Sequence, residues 1–372
     1  IKLNNLLKFN NEISHNKKFI ISKSLRKIKF KKKKDDKFCC ILKELIIKNI
    51  PTAYLEGYSS LVNFSEKLPW PSNPKKIYSA NNQISDEVFK IWLAGKKEKN
   101  VPFIAGQHGG GYLIAKYATM HDWDIKNCDN FLFWGKKKFK NPKIIPSFNI
   151  KCNENFFKRN NSCNEILIIQ DFPLRYEMRL DSTQFPFSGF KKNIEFQYKF
   201  IKNLNNQNYK NLKIRLGSYQ YSAAQSEEYE KNLWKDKDKE LNLESRKIPI
   251  KESIKNSSMI ICTTISSTAF LESLSSNVPC FIFVDYKQNC ISQECRKDFA
   301  KLKQAGILQN NPYKFSELVN KYSNNINTWW NSKYVKSTID KFKEKYTLIE
   351  KKPVLKLSQI LNQDYKYKRT IA

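Results

Sequence analysis

The sequence predicts an α/β protein: two layered domains, each built on a parallel sheet, followed by a helical C-terminal tail. Three observations lead there. The 372 residues exceed the usual size of one domain. Short apolar runs alternate with amphipathic stretches of helical period on both sides of a polar segment at 136–164. At two places an apolar run ends in a cluster of glycines or hydroxyls just before a helix-like stretch, which is where strands of such sheets meet ligands.

In chain order, residues 1–50 are rich in Lys and Asn, and their run Lys31–Lys34 reads as a solvated loop or helix end. KKIYSA (75–80) reads as a strand. SDEVFKIWLAGKKEK (85–99) reads as a helix capped by Ser85, with Val88, Ile91 and Trp92 on one face. VPFIAG (101–106) is a short buried strand, LIAKYATMHDW (113–123) a helix and DNFLFWG (129–135) a strand. The segment 136–164, with Pro142 and Pro146, reads as a linker. The alternation restarts with the strand EILIIQDF (165–172), the helix NIEFQYKFIKNL (193–204) and the strand LKIRLGS (212–218). It continues with the strand SMIICTT (258–264), the helix TAFLESLSSN (268–277) and the strand PCFIFV (279–284), and from about 292 the chain reads as mostly helical. The expected division is a first domain at 1–150, a second at 160–328 and a tail at 329–372.

The net charge is +32, from 67 Lys and Arg against 35 Asp and Glu. Such a balance concentrates anions: nucleotide phosphates, nucleic acid or an anionic membrane face. A compositional bias toward Lys, Asn, Ile, Phe and Tyr competes as its origin. Nucleic acid is not the expected partner, because zinc-ligand spacing, an aromatic RNA-binding string and a basic heptad region are all missing. The nine cysteines include no CxxC pair and the chain has three histidines, which points to free thiols rather than a metal site. No apolar run approaches the ~20 residues that span a bilayer, and no signal peptide is visible. The chain begins at Ile1 rather than Met. The expected location is cytoplasmic, peripheral to the inner membrane face.

Three strings carry chemistry. GQHGGGY (106–112) lies between a predicted strand and a predicted helix. Its consecutive glycines suit positive φ or a ligand close to the backbone, and the position suits a phosphate on free N–H groups. His108 at its mouth is the candidate general acid/base, or a donor to a phosphate oxygen; a plain turn with a structural histidine is the competing reading. No Gly-Lys-Ser/Thr follows, so this is not an ATP-hydrolysing phosphate loop. The second string, TTISSTAFLESLSSNVPCFIF (263–283), packs five hydroxyls into the six residues 263–268, more than an ordinary helix cap needs. Ser266, Ser267 and Thr268 are the candidate diphosphate site, and Glu272 faces a sugar or ribose hydroxyl or is solvated. The third group is basic: Arg175, Arg179 and Arg215 are candidate diphosphate clamps, with surface ion pairing to Glu177 and Asp181 as the alternative.

These strings in this order resemble the transferases of bacterial surface-polysaccharide gene clusters that carry a Gln-His-Gly-Gly-Gly-Tyr-Gly motif. More distantly they are similar to capsule-polysaccharide transferases and CDP-glycerol glycerophosphotransferases. The likeness extends through KIIPSFNIK (143–151), the DFPLRY region, the SSTAFLESLSSNVPCFIF string and the Trp329–Trp330 segment, about residues 75–350. It implies a GT-B-like fold, two Rossmann-like domains facing across a cleft, with 160–328 binding the donor. By position it implies that Gln107, His108, Gly109, Gly110, Gly111 and Tyr112 form the first domain's loop of the cleft, and that Ser266, Ser267, Thr268 and Glu272 form the donor-phosphate site. Leu113 stands where that family has Gly, the segment RLGSYQY keeps Arg215 but lacks the family's Pro, and the N-terminal region is shorter, so a truncated first domain is expected. The expected partners are a nucleotide-sugar or nucleotide-polyol donor and a glycan or lipid-linked acceptor. No cofactor and no metal are expected. A catalytically degenerate glycan or partner binder is the alternative reading.

Overall fold

The computed structural model describes residues 19–27, 36–116, 119–153, 156–157, 163–171, 187–217, 227–285 and 291–363. The chain divides into two compact units, residues 1–104 and 105–372, and the segment 136–164 lies inside the second.

The first unit carries α1 (Lys37–Asn49), α2 (Tyr58–Glu66), β1 (Ile77–Ser79), α3 (Asn82–Ser85), α4 (Glu87–Glu98) and the start of β2 (Phe103–Gly106). The cap of α4 is Asp86, whose carboxylate accepts from Phe89 N at 2.9 Å. Ser85, the expected cap, instead ends the short α3. Asp outcompetes Ser here because a charged acceptor also meets the positive end of the helix dipole. The Ile77 amide donates to the Pro102 carbonyl, laying β1 beside β2.

The second unit continues with α5 (Thr119–Asn127), β3 (Asn130–Phe133) and β4 (Ile144–Pro146). Then follow β5 (Glu165–Ile169), α6 (Phe187–Lys202), α7 (Asn206–Lys210), β6 (Leu212–Arg215), α8 (Glu227–Lys235), β7 (Leu243–Glu244), α9 (Ile250–Lys255) and β8 (Ser257–Cys262). It ends with α10 (Thr268–Ser275), β9 (Cys280–Phe283), α11 (Arg296–Gln304), β10 (Leu308–Gln309), α12 (Pro312–Tyr322), α13 (Ile326–Trp330), α14 (Lys333–Tyr346) and α15 (Pro353–Asn362). The helical C-terminus is therefore present, interrupted by the short β10.

Two expectations change in this unit. The helix expected from residue 113 starts at Thr119, because Gly111 and Leu113 take left-handed backbone at φ +81° and +61° and no α-helix runs through such residues. The segment expected as a linker contains β4, which pairs in parallel with β3 through Phe131–Ile144, Leu132–Ile145 and Phe133–Pro146. Pro146 is tolerated where its missing N–H costs no ladder bond.

The six-stranded sheet has the order β10-β9-β8-β5-β6-β7, and each pairing in it is parallel. Its first strand in sequence, β5, sits in the middle: the chain winds outward through β6 and β7 on one side, then returns to β8 and winds out through β9 and β10. This is the doubly wound Rossmann arrangement, with its topological switch between β5 and β8. Every residue of β8 is buried, as a parallel sheet covered on both faces requires. Ile166, Ile168, Ile214 and Ile261 meet the aromatic rings of Phe200, Phe281, Phe283 and Phe315 in its core; the Phe200 and Phe315 rings stack at 4.7 Å.

The stretch after α14 returns to the end of β3. Glu344 and Lys345 carbonyls accept from Lys136 and Lys137 amides, and Leu348 N donates to the Trp134 carbonyl at 2.8 Å. Thr347 bonds Ser275 and the Leu271 carbonyl of α10 from its other side. Asp298 fastens this strap by accepting from Lys137, Lys345 and Tyr346. The strap lies so close to Gly135 that a Cβ there would stand 2.0 Å from the Lys345 carbonyl oxygen. Gly135→Ala should therefore lower unfolding stability by ~1–3 kcal/mol, the range for overpacking. A urea midpoint equal to the wild type's would show that the strap yields freely.

Candidate functional site

Two segments 158 residues apart build the site: the glycine loop after β2 and the hydroxyl turn between β8 and α10. The Gly110 amide donates to Thr268 Oγ1 at 2.8 Å. A Cβ on Gly110 would stand 2.4 Å from the Ser266 carbonyl oxygen, and one on Gly111 would stand 2.7 Å from Ser266 Cβ. Gly110 is thus required by backbone-on-backbone packing, and Gly111 by its contact with the Ser266 side chain and by its φ of +81°.

The loop is anchored from within. Gln107 is buried; its Nε2 donates to the Gly109 carbonyl at 2.8 Å and its Oε1 accepts from Trp134 N at 2.9 Å. Leu113 adopts its left-handed conformation because both sides of it are held: its amide donates to His121 Nδ1, and its carbonyl accepts from Ser292 Oγ and Cys295 Sγ. Glycine would reach that conformation at lower cost, which explains the resembled family's preference at this position.

Tyr112 does not line the cavity described below. It is buried, stacked on His121 at 4.0 Å and on Phe131 at 5.6 Å, with its hydroxyl 2.7 Å from His108 Nδ1 and 3.4 Å from Asp124 Oδ2. Burial, followed by the charge of Asp124, pushes its phenol far above the ordinary range.

The hydroxyl turn is explained atom by atom. Thr263 ties the ends of β5 and β8 together, donating to the Ile169 carbonyl and accepting from Asp171 N at 3.1 Å. Thr264 Oγ1 accepts from Ser266 N, Ser267 caps α10 by accepting from Phe270 N, and Thr268 holds the glycine loop. The surplus of hydroxyls thus builds the turn and joins two segments. The amides of Thr268 and Ala269, at the start of α10, have no hydrogen-bond partner among the described residues.

Beside this turn, at the carboxyl ends of β5, β6 and β8, lies a cavity of about 480 Å³, a size that suits a small ligand. Ser266, Ser267, Thr268, Ala269 and Glu272 form one wall; Arg215, Arg246, Lys247 and Ile248 form another. Arg215 reaches this wall with its donors already engaged: Nη1 bonds Glu244 Oε1 at 2.8 Å and Ser253 Oγ at 2.9 Å, and Nη2 bonds the carbonyls of Arg246 and Ile248. It holds the 244–248 turn in place, and that turn brings two further cations to the cavity: Arg246, which also donates to the Gly217 carbonyl, and Lys247. Arg175 and Arg179 lie outside the described residues.

Glu272 is 92% buried, lines the cavity and has no hydrogen-bond partner among the described residues. Burial pushes its carboxyl up to about 7 against the opposing charges of Lys151 and Lys251. Lys151 also donates from Nζ to the His108 carbonyl at 2.8 Å, linking the loop to the cavity wall. Sequence reasoning missed Asp124, His121, Lys151, Arg246 and Lys247. His121 falls on the helix expected at 113–123 and Asp124 just beyond its end, Lys151 falls in the segment read as a linker, and Arg246 and Lys247 lie between the strands read at 212–218 and 258–264.

The raised Glu272 pKa has a stability consequence. The fold disfavours its ionised form, so its contribution is full below the unfolded value of 4.5 and is lost as pH rises through about 7. Glu272→Gln should remove that loss, gaining on the wild type by up to roughly 3 kcal/mol between about pH 5 and 8. Parallel stability–pH curves for the two proteins would place the carboxylate in water.

No curated protein matches the chain. Among solved structures it is similar to TarM, with 13% identity over 74% of this chain and 53% of TarM at a TM-score of 0.43, so it spans about half of that protein's length. It is similar to MurG of Acinetobacter baumannii, with 10% identity over 82% of this chain and 76% of MurG at 0.39. It is also similar to WaaG, a glycosyltransferase involved in lipopolysaccharide biosynthesis, with 8% identity over 78% of this chain and 86% of WaaG at 0.41. At such TM-scores these likenesses decide neither reaction nor substrate. The sequence pattern of the LIC12162 family transferase matches residues 1–361, and the chain belongs to that transferase family.

Proposed function

We propose that this transferase moves a sugar or polyol-phosphate unit from a nucleotide-activated donor to a surface-glycan or lipid-linked acceptor, in the manner of GT-B enzymes. The observation that carries the reading is the cavity at the β5–β8 switch, where two amides with no partner among the described residues begin α10 and Arg246 and Lys247 line the other wall. Helix-start amides with a positive dipole end suit a diphosphate, and the two cations balance its charge. The buried carboxyl of Glu272, one turn into α10, suits a ribose or sugar hydroxyl. On the glycine loop, His108 is the general base toward the acceptor hydroxyl, or the group that steadies the phosphate leaving group. Fixed dipoles and cations stabilise the departing diphosphate without calling on a metal.

Thermal-shift screening against nucleotide sugars and nucleotide polyols tests this reading. A donor at 100 times its Kd adds about 2.7 kcal/mol of stability. Ser266→Ala should weaken that donor while leaving the helix cap on Ser267 untouched. His108→Ala should keep donor binding and lower turnover by ~10²–10⁴-fold. No shift with any nucleotide, or full turnover in His108→Ala, would overturn the reading.

We also propose peripheral attachment to an anionic membrane face. On α1, Phe38, Ile41, Leu42, Leu45 and Ile46 follow the i, i+3, i+4, i+7, i+8 spacing of one helix face and are 42–70% exposed, and none of its residues is buried. The sequence run Lys31–Lys34 precedes this helix, the pairing of apolar stripe and basic cluster that suits acidic lipid. The chain should sediment with phosphatidylglycerol vesicles and be released by salt or by Ile41→Glu with Leu45→Glu. Equal binding to neutral phosphatidylcholine, or by the double variant, would remove the membrane from this face.

A further inference from the structure

The histidine of the loop stands at the end of a buried polar chain. Tyr112 Oη is 2.7 Å from His108 Nδ1 and 3.4 Å from Asp124 Oδ2. Asp124 is fully buried on α5, and the Tyr112 ring is fixed between His121 and Phe131. A phenol has one proton to give, and an ionised carboxylate has none. The arrangement in which both contacts are hydrogen bonds has Tyr112 donating to Asp124 and accepting from a proton on His108 Nδ1. His121, beside them, has the opposite assignment: its Nδ1 accepts from the Leu113 amide at 3.1 Å, so its own proton sits on Nε2.

From this geometry, and resting on the reading of His108 as the acid/base group, we propose that Tyr112 and Asp124 are positioning residues that hold His108 as the Nδ1–H tautomer and make Nε2 its basic nitrogen. The second hydrogen bond of an imidazole selects which nitrogen is free for chemistry. Here a phenol stands between the imidazole and the carboxylate that anchors it. When Nε2 takes a proton, the Nδ1–H and the tyrosine O–H remain where they are, and the carboxylate beyond them favours the imidazolium that forms. Gln107 and the glycines fix the loop backbone, and this chain fixes the ring that the loop carries.

The chain has three histidines, so their imidazole nitrogens are separable in a long-range ¹H–¹⁵N spectrum. At about pH 8.5, above the ordinary imidazole range, wild-type His108 should read as Nδ1–H and His121 as Nε2–H. Tyr112→Phe keeps the ring stacked between His121 and Phe131 but removes the hydroxyl. In it, His108 should revert to the Nε2–H form that a free imidazole favours in water, while the His121 signal stays in place and reports an intact fold. A wild-type His108 in the Nε2–H form overturns the proposal without any variant. An unchanged Nδ1–H signal in Tyr112→Phe overturns it as well. The spectrum reads the tautomer whether or not a donor binds, and the thermal-shift screen reads the donor whatever the tautomer, so failure of one is distinct from failure of the other.

Discussion

The site depends on one close approach: the backbone of Gly110 lies directly on the backbone of Ser266 and Ser267, with Gly111 against the Ser266 side chain, and neither position leaves room for a Cβ. The rest of the local structure serves this contact. Thr268 supplies the hydroxyl that bonds across it, Gln107 braces the loop from β3, and Thr263 draws the ends of β5 and β8 together beneath it. The approach also sets what the loop can offer. Its glycines present backbone rather than side chains, and His108 is the ring carried at its entrance. A left-handed Leu113 then turns the chain away, where Ser292 and Cys295 catch its carbonyl.

Charge is distributed by the same economy of contacts. The chain has about half as many acids as bases, and its buried acids are matched: Glu244 by Arg215, Glu230 by the Gly217 amide, Glu56 by Arg26. Asp298 is the fullest case. Burial raises its pKa, but hydrogen bonds from Lys345, Lys137 and Tyr346 outweigh this and hold the carboxyl below its ordinary value. Glu272 differs from all of these, since nothing among the described residues bonds its carboxylate and it lines the cavity. A fold that pairs its other buried acids and leaves this one open has a place for a ligand hydroxyl or a proton there.

Much of this was legible in the sequence, for identifiable reasons. The alternation of apolar runs with helical period located β1, β2, β3, β5, β6, β8 and β9 and the helices α4, α6 and α10. The two site strings announced themselves through glycines and hydroxyls that no ordinary element needs. The two-residue strands β7 and β10 carry too little pattern to be read, and β4 hides in a polar stretch because one apolar pair, Ile144–Ile145, is all that it shows. The roles of individual residues were less legible than their location. Arg215 ends a strand as a diphosphate clamp would, yet its partner Glu244 lies 29 positions on and becomes visible only when β6 and β7 pair. Tyr112 sits in the glycine string, but its stacking partners come from α5 and β3, so its inward turn has no local signature. Asp124 looks like any surface acid until α5 packs it under the loop.

The strap over Gly135 gives the chain a history in time. Synthesis runs from the N-terminus, and 208 residues separate Lys136 from Glu344, its partner on the strap. At ~5–20 residues per second, that gap corresponds to roughly ten to forty seconds on the ribosome. For that interval the backbone of Trp134 to Lys137 lacks the carbonyls and amides that later complete it, and the face that Tyr346 will cover is open to water. The second unit therefore cannot close as it emerges. It waits for the strap at 344–348 to leave the exit tunnel, so a chain stopped before residue 344 would carry both site strings without the backbone that closes over the end of β3.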